Sequence, residues 1–401
     1  MKYIVILGDG MADLPVKQLN HQTPLQVANK PAIDELCKKG ELGLVSTIPE
    51  GMSPGSDTAN LSVMGYNPRR YYTGRSPLEA VSMGIEMKET DICFRCNVVT
   101  LTEEGAYDDK IILDHSADEI TTEEAALLIE SIQHAFGNDI LKFYPGISYR
   151  HALIWDKGST EVELIPPHDI LEKAIGSYMP KGEGAQILYN MMKASYEILK
   201  DHPVNLDRVA RGLRPANSIW IWGQGKKPML PSFEEKYGLK GTMISAVDLL
   251  KGIAIAAKME SVQVEGATGN LHTNYLGKAK ACLDALERGQ DFVYVHIEAP
   301  DECGHRGEID NKVKSIEFID QYIVKPIVDA LEANGVDYRI LILPDHPTPL
   351  ILRTHTSDPV PYVLYDSTGI CKSGLSYTEE NGALTKIHCK EGHQLLDYFL
   401  H

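Results

Sequence analysis

Short, almost wholly apolar runs that each end near glycine or a polar residue are the feature that most constrains this chain. Runs of this kind are typical of strands buried on both faces of a parallel sheet. The clearest are Tyr3–Leu7, Ser218–Trp222, Phe292–Ile297 and Tyr338–Leu343. Residues 311–334, between the last two, carry apolar side chains at the three-to-four spacing of an amphipathic helix. The pattern predicts a β-α-β unit and an α/β core whose mainly parallel sheet is flanked by helices.

Residues 68–181 follow a different pattern, in which short strands are mixed with one clear helix. Apolar segments such as Val98–Leu101 predict the strands, and a helix is predicted over Thr122–Phe136, where capping residues precede an apolar periodicity. We interpret this region as an inserted α+β domain that interrupts the α/β core. The predicted core therefore comprises residues 1–67 and 182–401.

Composition and charge exclude several classes of protein. The chain has 401 residues, of which 43% are hydrophobic and 24% charged, values typical of a folded globular protein. Its 39 Lys and Arg against 56 Asp and Glu give a net charge of −17, which repels phosphate backbones and acidic membrane surfaces. We therefore expect neither a nucleic acid nor a membrane partner. The first apolar run is too short for a signal peptide, and no stretch reaches the ~18 apolar residues of a membrane span, so we expect a cytoplasmic location. The oligomeric state, including a homo-oligomer, stays open.

Cysteine and glycine motifs that often mark function do not do so here. Seven scattered cysteines form no disulfide framework. Cys93 and Cys96 form a single Cys-x-x-Cys in a predicted strand, where positions three apart point to opposite faces, so we expect two buried small residues. The glycines after Leu7 lack the third glycine of a dinucleotide-binding loop, and no Gly-x-Ser-x-Gly elbow occurs.

Aspartate and histidine residues follow the predicted strands where open α/β sheets place their sites, beyond the carboxyl ends. These residues are Asp9, Asp301, His305, Asp345, His346 and His355. Any one of them alone is better explained as a helix cap, a turn residue or, for His305, an exposed side chain. If they converge, their like charges lie close together, which costs free energy that bound cations can offset. Six ligands exceed the needs of one tetrahedral ion, so the set predicts two divalent ions about 4 Å apart. Carboxylate and imidazole suit manganese, which we favour, or magnesium or zinc.

Ser56 is the candidate nucleophile. It follows a Pro-Gly turn at the predicted start of a helix that runs to Met64. A serine there is often an N-cap. The same position favours an anion, and a metal-activated hydroxyl there could attack phosphorus.

Taken together, these motifs resemble those of the archaeal-type, cofactor-independent phosphoglycerate mutases of the alkaline phosphatase superfamily. The resemblance covers essentially the whole chain, in the family's order, and its motifs are Gly8–Asp13, Pro54–Ala59, Tyr72–Arg75, Asp301–His305, Pro344–His346 and Thr354–Thr356.

The resemblance implies an alkaline-phosphatase-like core and a reaction that interconverts 3-phosphoglycerate and 2-phosphoglycerate through a phosphoserine. It implies that one ion is held by Asp301, His305 and His355, and the other by Asp9, Asp345, His346 and the Ser56 oxygen. Ser56 would be the residue that is phosphorylated.

The inserted region matches the position of the substrate-binding cap in that family. Arg75, Arg95 and Arg150, in or near it, are candidates for binding the phosphate or carboxylate of a small phosphorylated substrate.

The chain departs from the family pattern in one segment. Residues 306–308 read Arg-Gly-Glu where many family mutases have an Asp-Gly pair, and the Ala-Pro-Asp-Glu at residues 299–302 also resembles a sister group proposed to phosphorylate homoserine. A homoserine phosphotransferase on the same scaffold is therefore an alternative. A phosphatase or sulfatase of the superfamily is another, and a non-catalytic binding module with structural ions is a third.

Overall fold

The computed structural model describes residues 1–369 and 371–401, which divide into two compact units. Unit 1 comprises Met1–Tyr72 and Met229–His401, and unit 2 comprises Thr73–Pro228. The predicted insertion thus differs from unit 2 mainly at its end, because residues 182–228 belong with the insertion rather than with the core.

The strands, in chain order, are β1 Lys2–Gly8, β2 Glu41–Val45, β3 Asp91–Leu101, β4 Ile112–Asp114, β5 Leu141–Tyr144, β6 Arg150–Asp156, β7 Val162–Glu163, β8 Lys181–Gly182, β9 Ser218–Lys226, β10 Gly241–Ile244, β11 Glu260–Val262, β12 Phe292–Ile297, β13 Tyr338–Leu343, β14 Val360–Asp366 and β15 His388–Cys389.

The helices are α1 Pro24–Val27, α2 Pro31–Lys39, α3 Ser56–Val63, α4 Pro68–Tyr71, α5 Arg75–Ser82, α6 Thr122–Phe136, α7 Ala185–Leu199, α8 Pro203–Ala210, α9 Phe233–Tyr237, α10 Asp248–Ala256, α11 Tyr275–Glu287, α12 Ala299–Arg306, α13 Ile309–Ile319, α14 Lys325–Ala333, α15 Glu379–Leu384 and α16 Leu395–Leu400. Among the described residues, no helix has the length and apolar character needed to span a bilayer.

Unit 1 is built on a sheet with the strand order β11-β10-β12-β1-β13-β14-β2-β15. Strand β1 lies parallel between β12 and β13, with Val5 opposite Tyr294 and Leu341. Strand β14 is antiparallel to both of its neighbours. The prediction of an α/β fold with a mainly parallel sheet is confirmed.

The two faces of this sheet have different roles. On one face, Ile4, Val293 and Ile340 belong to a buried cluster that also includes residues of α2, α11 and α13. The other face carries Tyr294 and His296, polar groups in a strand that is buried along its whole length. Because β1, β12 and β13 are parallel, the segments that follow them all leave the same edge of the sheet.

Unit 2 contains an antiparallel sheet in which β3 pairs with both β6 and β9. The assignment of Ser218–Trp222 to the parallel core is therefore wrong: this run lies in β9, with Ile221 opposite Cys96. A buried apolar run has the same composition in either kind of sheet, so its pattern does not tell which sheet it joins. Helix α7 packs on β9 and shares its buried cluster, which explains why unit 2 extends beyond residue 181.

Two local predictions in unit 2 agree with the structure. Helix α6 has the predicted bounds, and the Thr121 hydroxyl accepts the N–H of Glu124 at 3.3 Å as its N-cap. Cys93 and Cys96 are buried free thiols that pack into different clusters, and burial raises the pKa of each.

A buried ion pair in unit 1 joins the segment after β1 to α13. Lys312 Nζ donates to Asp13 Oδ2 at 2.7 Å, and both side chains are fully buried. The same ammonium donates to the carbonyl oxygens of Ala12 at 3.3 Å and Thr348 at 2.8 Å. One cation therefore holds the segments that follow β1 and β13 together.

Replacing Lys312 with methionine leaves the Asp13 carboxylate buried without its cation. We expect Lys312→Met to lower the free energy of unfolding by about 3–5 kcal/mol, measured by urea denaturation. The matched control, Lys325→Met, breaks an exposed ion pair with Asp329 and should leave the midpoint close to that of the wild type. Equal midpoints for Lys312→Met and the control would contradict this role of the buried pair.

Candidate metal centre

Two aspartates meet beyond the carboxyl ends of β1 and β13. Asp9 directly follows β1, and its backbone N–H donates to the Ile297 carbonyl at 2.8 Å. Asp345 Oδ1 accepts the backbone N–H groups of Gly10 at 3.1 Å and His346 at 3.0 Å. His346 Nε2 lies 3.6 Å from Asp9 Oδ1 and 3.3 Å from Asp345 Oδ2, so three ligand-type side chains converge.

A second group forms around α12. Asp301 and His305 lie one helical turn apart, with His305 Nε2 3.3 Å from Asp301 Oδ2. His355 Nε2 lies 3.3 Å from Asp301 Oδ1 and 2.9 Å from His305 Nε2. His305 Nδ1 lies 3.0 Å from the Arg353 carbonyl, which can only accept, so Nδ1 carries a proton and Nε2 faces the other ligand-type atoms.

The two groups are contiguous. The rings of His346 and His355 are in contact, with their centroids 3.9 Å apart and their planes tilted by 31°. Thr348 donates a hydrogen bond to Asp301, and its hydroxyl oxygen is 3.3 Å from His346 Nδ1. Gly10 has a φ of +60°, and a Cβ there would lie 2.6 Å from Asp301 Oδ1. A side chain at position 10 would therefore push the aspartate away.

Ser56 lies beside these groups at the start of α3. Gly55 is the N-cap residue, and the Ser56 hydroxyl makes no capping hydrogen bond. Its oxygen is instead 3.1 Å from His346 Nε2. Of the two interpretations of Ser56 from the sequence, the structure thus disfavours the N-cap.

Burial and mutual repulsion set the charges of the cluster. Burial, together with the charges of Asp345 and Asp301, raises the pKa of Asp9 well above its usual value. Burial acts the same way on Asp301, but hydrogen bonds from His305 and His355 hold the pKa of Asp301 well below its ordinary range. The bond to Asp301 correspondingly raises the pKa of His305 to about 9. The carboxylates thus need positive charge nearby.

Comparison with known proteins places the chain in a family. A model described as 2,3-bisphosphoglycerate-independent phosphoglycerate mutase matches residues 37–205. A probable 2,3-bisphosphoglycerate-independent phosphoglycerate mutase of Geobacter sulfurreducens is 48% identical over 100% of both chains. The chain belongs to the 2,3-bisphosphoglycerate-independent phosphoglycerate mutase family. A mutase of that name from Methanothrix thermoacetophila is 49% identical over 96% of this chain and 95% of its own.

A solved structure agrees with this assignment. The cofactor-independent phosphoglycerate mutase of Thermoplasma acidophilum is 26% identical, with a TM-score of 0.67 over 100% of this chain and 99% of that chain. The family resemblance found in the sequence motifs is confirmed.

The structure brings together every residue that the sequence predicted for the metal site of this mutase-family chain. The residue sets that could hold a metal ion include Asp9, Asp345 and His346, and also Asp301, His346 and His355. His346 is common to both sets, whereas the resemblance implies it for one ion only. Their roles as ligands stay predictions.

The predicted substrate arginines lie in unit 2, where Arg150 is opposite Asn97 in the pair of β3 and β6, two residues from Arg95. Arg75 and Arg95 both pair with Glu79, which is mostly buried, while Arg150 lies over the ring of Tyr149 at 5.4 Å. Burial would raise the pKa of Glu79, but the two guanidinium groups lower it. Glu79 thus holds the two guanidinium groups close together.

Sequence reasoning missed several side chains that contact the cluster. Asn60 Nδ2 donates to Asp345 Oδ2 at 2.9 Å and to the Ser56 carbonyl at 2.8 Å. His296 Nε2 lies 2.9 Å from Asp9 Oδ2. A histidine inside an otherwise apolar strand was the available signal for His296. Asn60 follows Ser56 by one helical turn, which was the signal for it.

The site passes a test of fit to divalent cations. Asp9 Oδ1 is buried and has no hydrogen-bond partner in the part of the chain that the structure describes. His305 and His355 turn their Nε2 atoms toward each other across 2.9 Å, an arrangement that needs a proton or a cation between them. Carboxylate and imidazole donors together fit manganese, magnesium or zinc.

Replacing Asp9 with asparagine tests two effects of its buried charge: the free energy that the charge costs without metal, and the metal binding that it supports. We expect the metal-free Asp9→Asn protein to melt no lower than the metal-free wild type, because one buried negative charge is gone. Mn²⁺ at 100 times the Kd of each of the two sites should stabilise the wild type by about 2.7 kcal/mol per ion, and the variant should lose the share of the ion that Asp9 holds. Scanning calorimetry with and without Mn²⁺ measures both effects.

The control is Asp320→Asn, which changes a buried carboxylate that accepts the Ile33 N–H at 2.7 Å. Its response to Mn²⁺ should match that of the wild type. A full Mn²⁺ response in Asp9→Asn would show that Asp9 is not a ligand.

Proposed function

We propose that this protein interconverts 3-phosphoglycerate and 2-phosphoglycerate, in line with the name phosphoglycerate mutase that its relatives carry. The observation that carries the proposal is the single cluster in which Ser56 lies against carboxylate and imidazole groups suited to bind metal. The names of relatives with 48% and 49% identity support the mutase over the homoserine phosphotransferase. The departure at residues 306–308 involves no residue of the predicted ligand set.

Ser56 is the proposed nucleophile. Its hydroxyl loses its proton and forms a bond to phosphorus while the bond from phosphorus to the substrate's 3-oxygen breaks, and the departing 3-oxygen takes up a proton. The 2-hydroxyl of the same glycerate then loses its proton and bonds to phosphorus while the bond from phosphorus to the Ser56 oxygen breaks. The Ser56 oxygen regains a proton, which completes the isomerisation. The position of Ser56 at the N-terminus of α3 suits this role, since the backbone N–H groups there favour an anion.

We propose two divalent ions as cofactors, with manganese as the favoured metal. Asp9, Asp345, His346 and Ser56 would hold one, and Asp301, His305 and His355 the other. Bound there, the cations would lower the pKa of the Ser56 hydroxyl and offset charge on the transferred phosphoryl group. Asn60 contributes by holding Asp345 and the backbone of Ser56 in one arrangement.

Removing the Ser56 hydroxyl should abolish turnover. With Mn²⁺ and 3-phosphoglycerate but no ATP, phosphorus NMR should show 2-phosphoglycerate formed by the wild type, and kcat should fall about 10³-fold or more in Ser56→Ala. Acid-quenched wild type should carry a phosphoryl group on the peptide that contains Ser56.

The matched control is Ser62→Ala on the same helix, whose buried hydroxyl has no hydrogen-bond partner among the described residues. It should turn over like the wild type. Release of free phosphate alone would favour a phosphatase, and an ATP-dependent product from homoserine would favour the phosphotransferase. Near-normal turnover by Ser56→Ala would refute the covalent route.

Substrate binding by Arg75, Arg95 and Arg150 stays a prediction. A charge-assisted hydrogen bond is worth about 1.5–3 kcal/mol, so replacing each by methionine should raise KM for 3-phosphoglycerate roughly 10-fold or more with a smaller change in kcat. Arg211→Met, which breaks pairs with Glu124 and Asp207 in the same unit, is the control. An unchanged KM in all three variants would remove them from the substrate site.

A further inference from the structure

His296 is a buried histidine that neither the predicted ligand set nor the proposed reaction uses. It lies in β12 and has no exposed surface, although the other residues of that strand are Phe292, Val293, Tyr294, Val295 and Ile297. Its carbonyl accepts a hydrogen bond from Lys278 Nζ at 2.8 Å, and Lys278 is itself buried. An imidazole ring that is completely buried needs hydrogen-bond partners for both of its nitrogens.

The Asp9 carboxylate indicates which nitrogen of His296 carries the proton. An ionised carboxylate only accepts, so Nε2, 2.9 Å from Asp9 Oδ2, carries the ring proton and donates it. In the neutral ring Nδ1 is then an acceptor, and it lies 3.1 Å from the Ser245 hydroxyl, which can donate to it. The same serine oxygen accepts the Val247 N–H at 3.0 Å.

This contact distinguishes the two oxygens of Asp9. Oδ2 is engaged by His296, whereas Oδ1 is buried without a hydrogen-bond partner in the residues that the structure covers. Oδ1 is also the oxygen nearer the other ligand-type groups, 3.6 Å from His346 Nε2. The carboxylate is therefore held with one oxygen bound and the other left for a cation.

Strand β12 supports the second aspartate in a similar way. The Tyr294 hydroxyl, two residues before His296 and on the same face, donates to Asn60 Oδ1 at 2.6 Å. That bond orients the amide so that Asn60 Nδ2 donates to Asp345 Oδ2 at 2.9 Å. Alternate residues of one buried strand thus reach both carboxylates of the group formed by Asp9, Asp345 and His346.

We propose that His296 is a positioning residue for the metal centre: its Nε2–H holds Asp9 Oδ2 and so presents Oδ1 to the ion bound by Asp9, Asp345 and His346. The inference rests on the metal site of the proposed function. His296 acts through Asp9 and contacts neither ion nor substrate. Partners of this kind orient a ligand, and their loss typically weakens metal binding about 10–100-fold.

The test compares Mn²⁺ binding by full-length, metal-stripped wild type with His296→Phe and His296→Gln, using electron paramagnetic resonance of free Mn²⁺. In His296→Phe we expect the affinity of one of the two ions to fall about 10–100-fold, and the other to stay near the wild-type value. Glutamine should restore most of the affinity, because its side-chain N–H can donate to Asp9 Oδ2.

The control His151→Phe removes another buried histidine, in unit 2, and should leave both Mn²⁺ affinities unchanged. Ser245→Ala, which removes the donor to Nδ1 together with the acceptor of the Val247 N–H, is the second variant if His296→Phe does not fold, and it should weaken the same single ion. Two results would distinguish a positioning role from a general loss of stability. Affinity is lost for one ion but not the other, and glutamine at position 296 restores it.

Several results would overturn the inference: wild-type affinity for both ions in His296→Phe, equal losses in the phenylalanine and glutamine variants, or wild-type binding in Ser245→Ala when His296→Phe does not fold. A wild type that binds no Mn²⁺ would overturn it as well. A wild type that binds Mn²⁺ but does not interconvert the phosphoglycerates refutes the proposed function alone, and the comparison of His296 variants still decides the inference.

Discussion

Repulsion among three buried aspartates is the constraint on which the centre of unit 1 depends. Asp9, Asp301 and Asp345 come from distant parts of the sequence and are almost completely buried at one edge of the sheet. Like charges in such a place cost free energy unless positive charge offsets them. In the absence of metal, protonation of His305 offsets part of this charge, and two divalent cations would offset more. The preference for cations is thus built into the arrangement of the strands.

The surrounding structure keeps the cluster from relaxing. Lys312 ties together the segments that follow β1 and β13, and Thr348, held by that lysine through its carbonyl, donates to Asp301. Gly10 permits the close approach, and Gly304 does the same on α12, where a Cβ would lie 2.5 Å from the Thr348 carbonyl oxygen. A site that has little freedom to expand keeps its ligands ready for a cation, which limits reorganisation on binding.

The sequence predicted the features that depend on local pattern and on where strands end. Buried runs indicated β1, β12 and β13, and because parallel strands end at one edge, the residues that follow them could be expected to meet. It did not place β9, since an apolar run carries no record of its partner strand. It also missed His296 and Asn60, whose roles arise from contacts made only after folding, and Thr348, for which the local pattern held no signal. The predicted C-terminal boundary of the insertion differs from that of unit 2 for a related reason, because the packing of α7 on β9 is a tertiary contact.

Anomalous diffraction at the manganese edge, from crystals of the protein grown with Mn²⁺, tests most directly whether the buried aspartates hold two cations. We expect two anomalous peaks, one within bonding distance of Asp9, Asp345 and His346 and the other within bonding distance of Asp301, His305 and His355. Absence of both peaks, or manganese bound only elsewhere on the protein, would contradict this expectation.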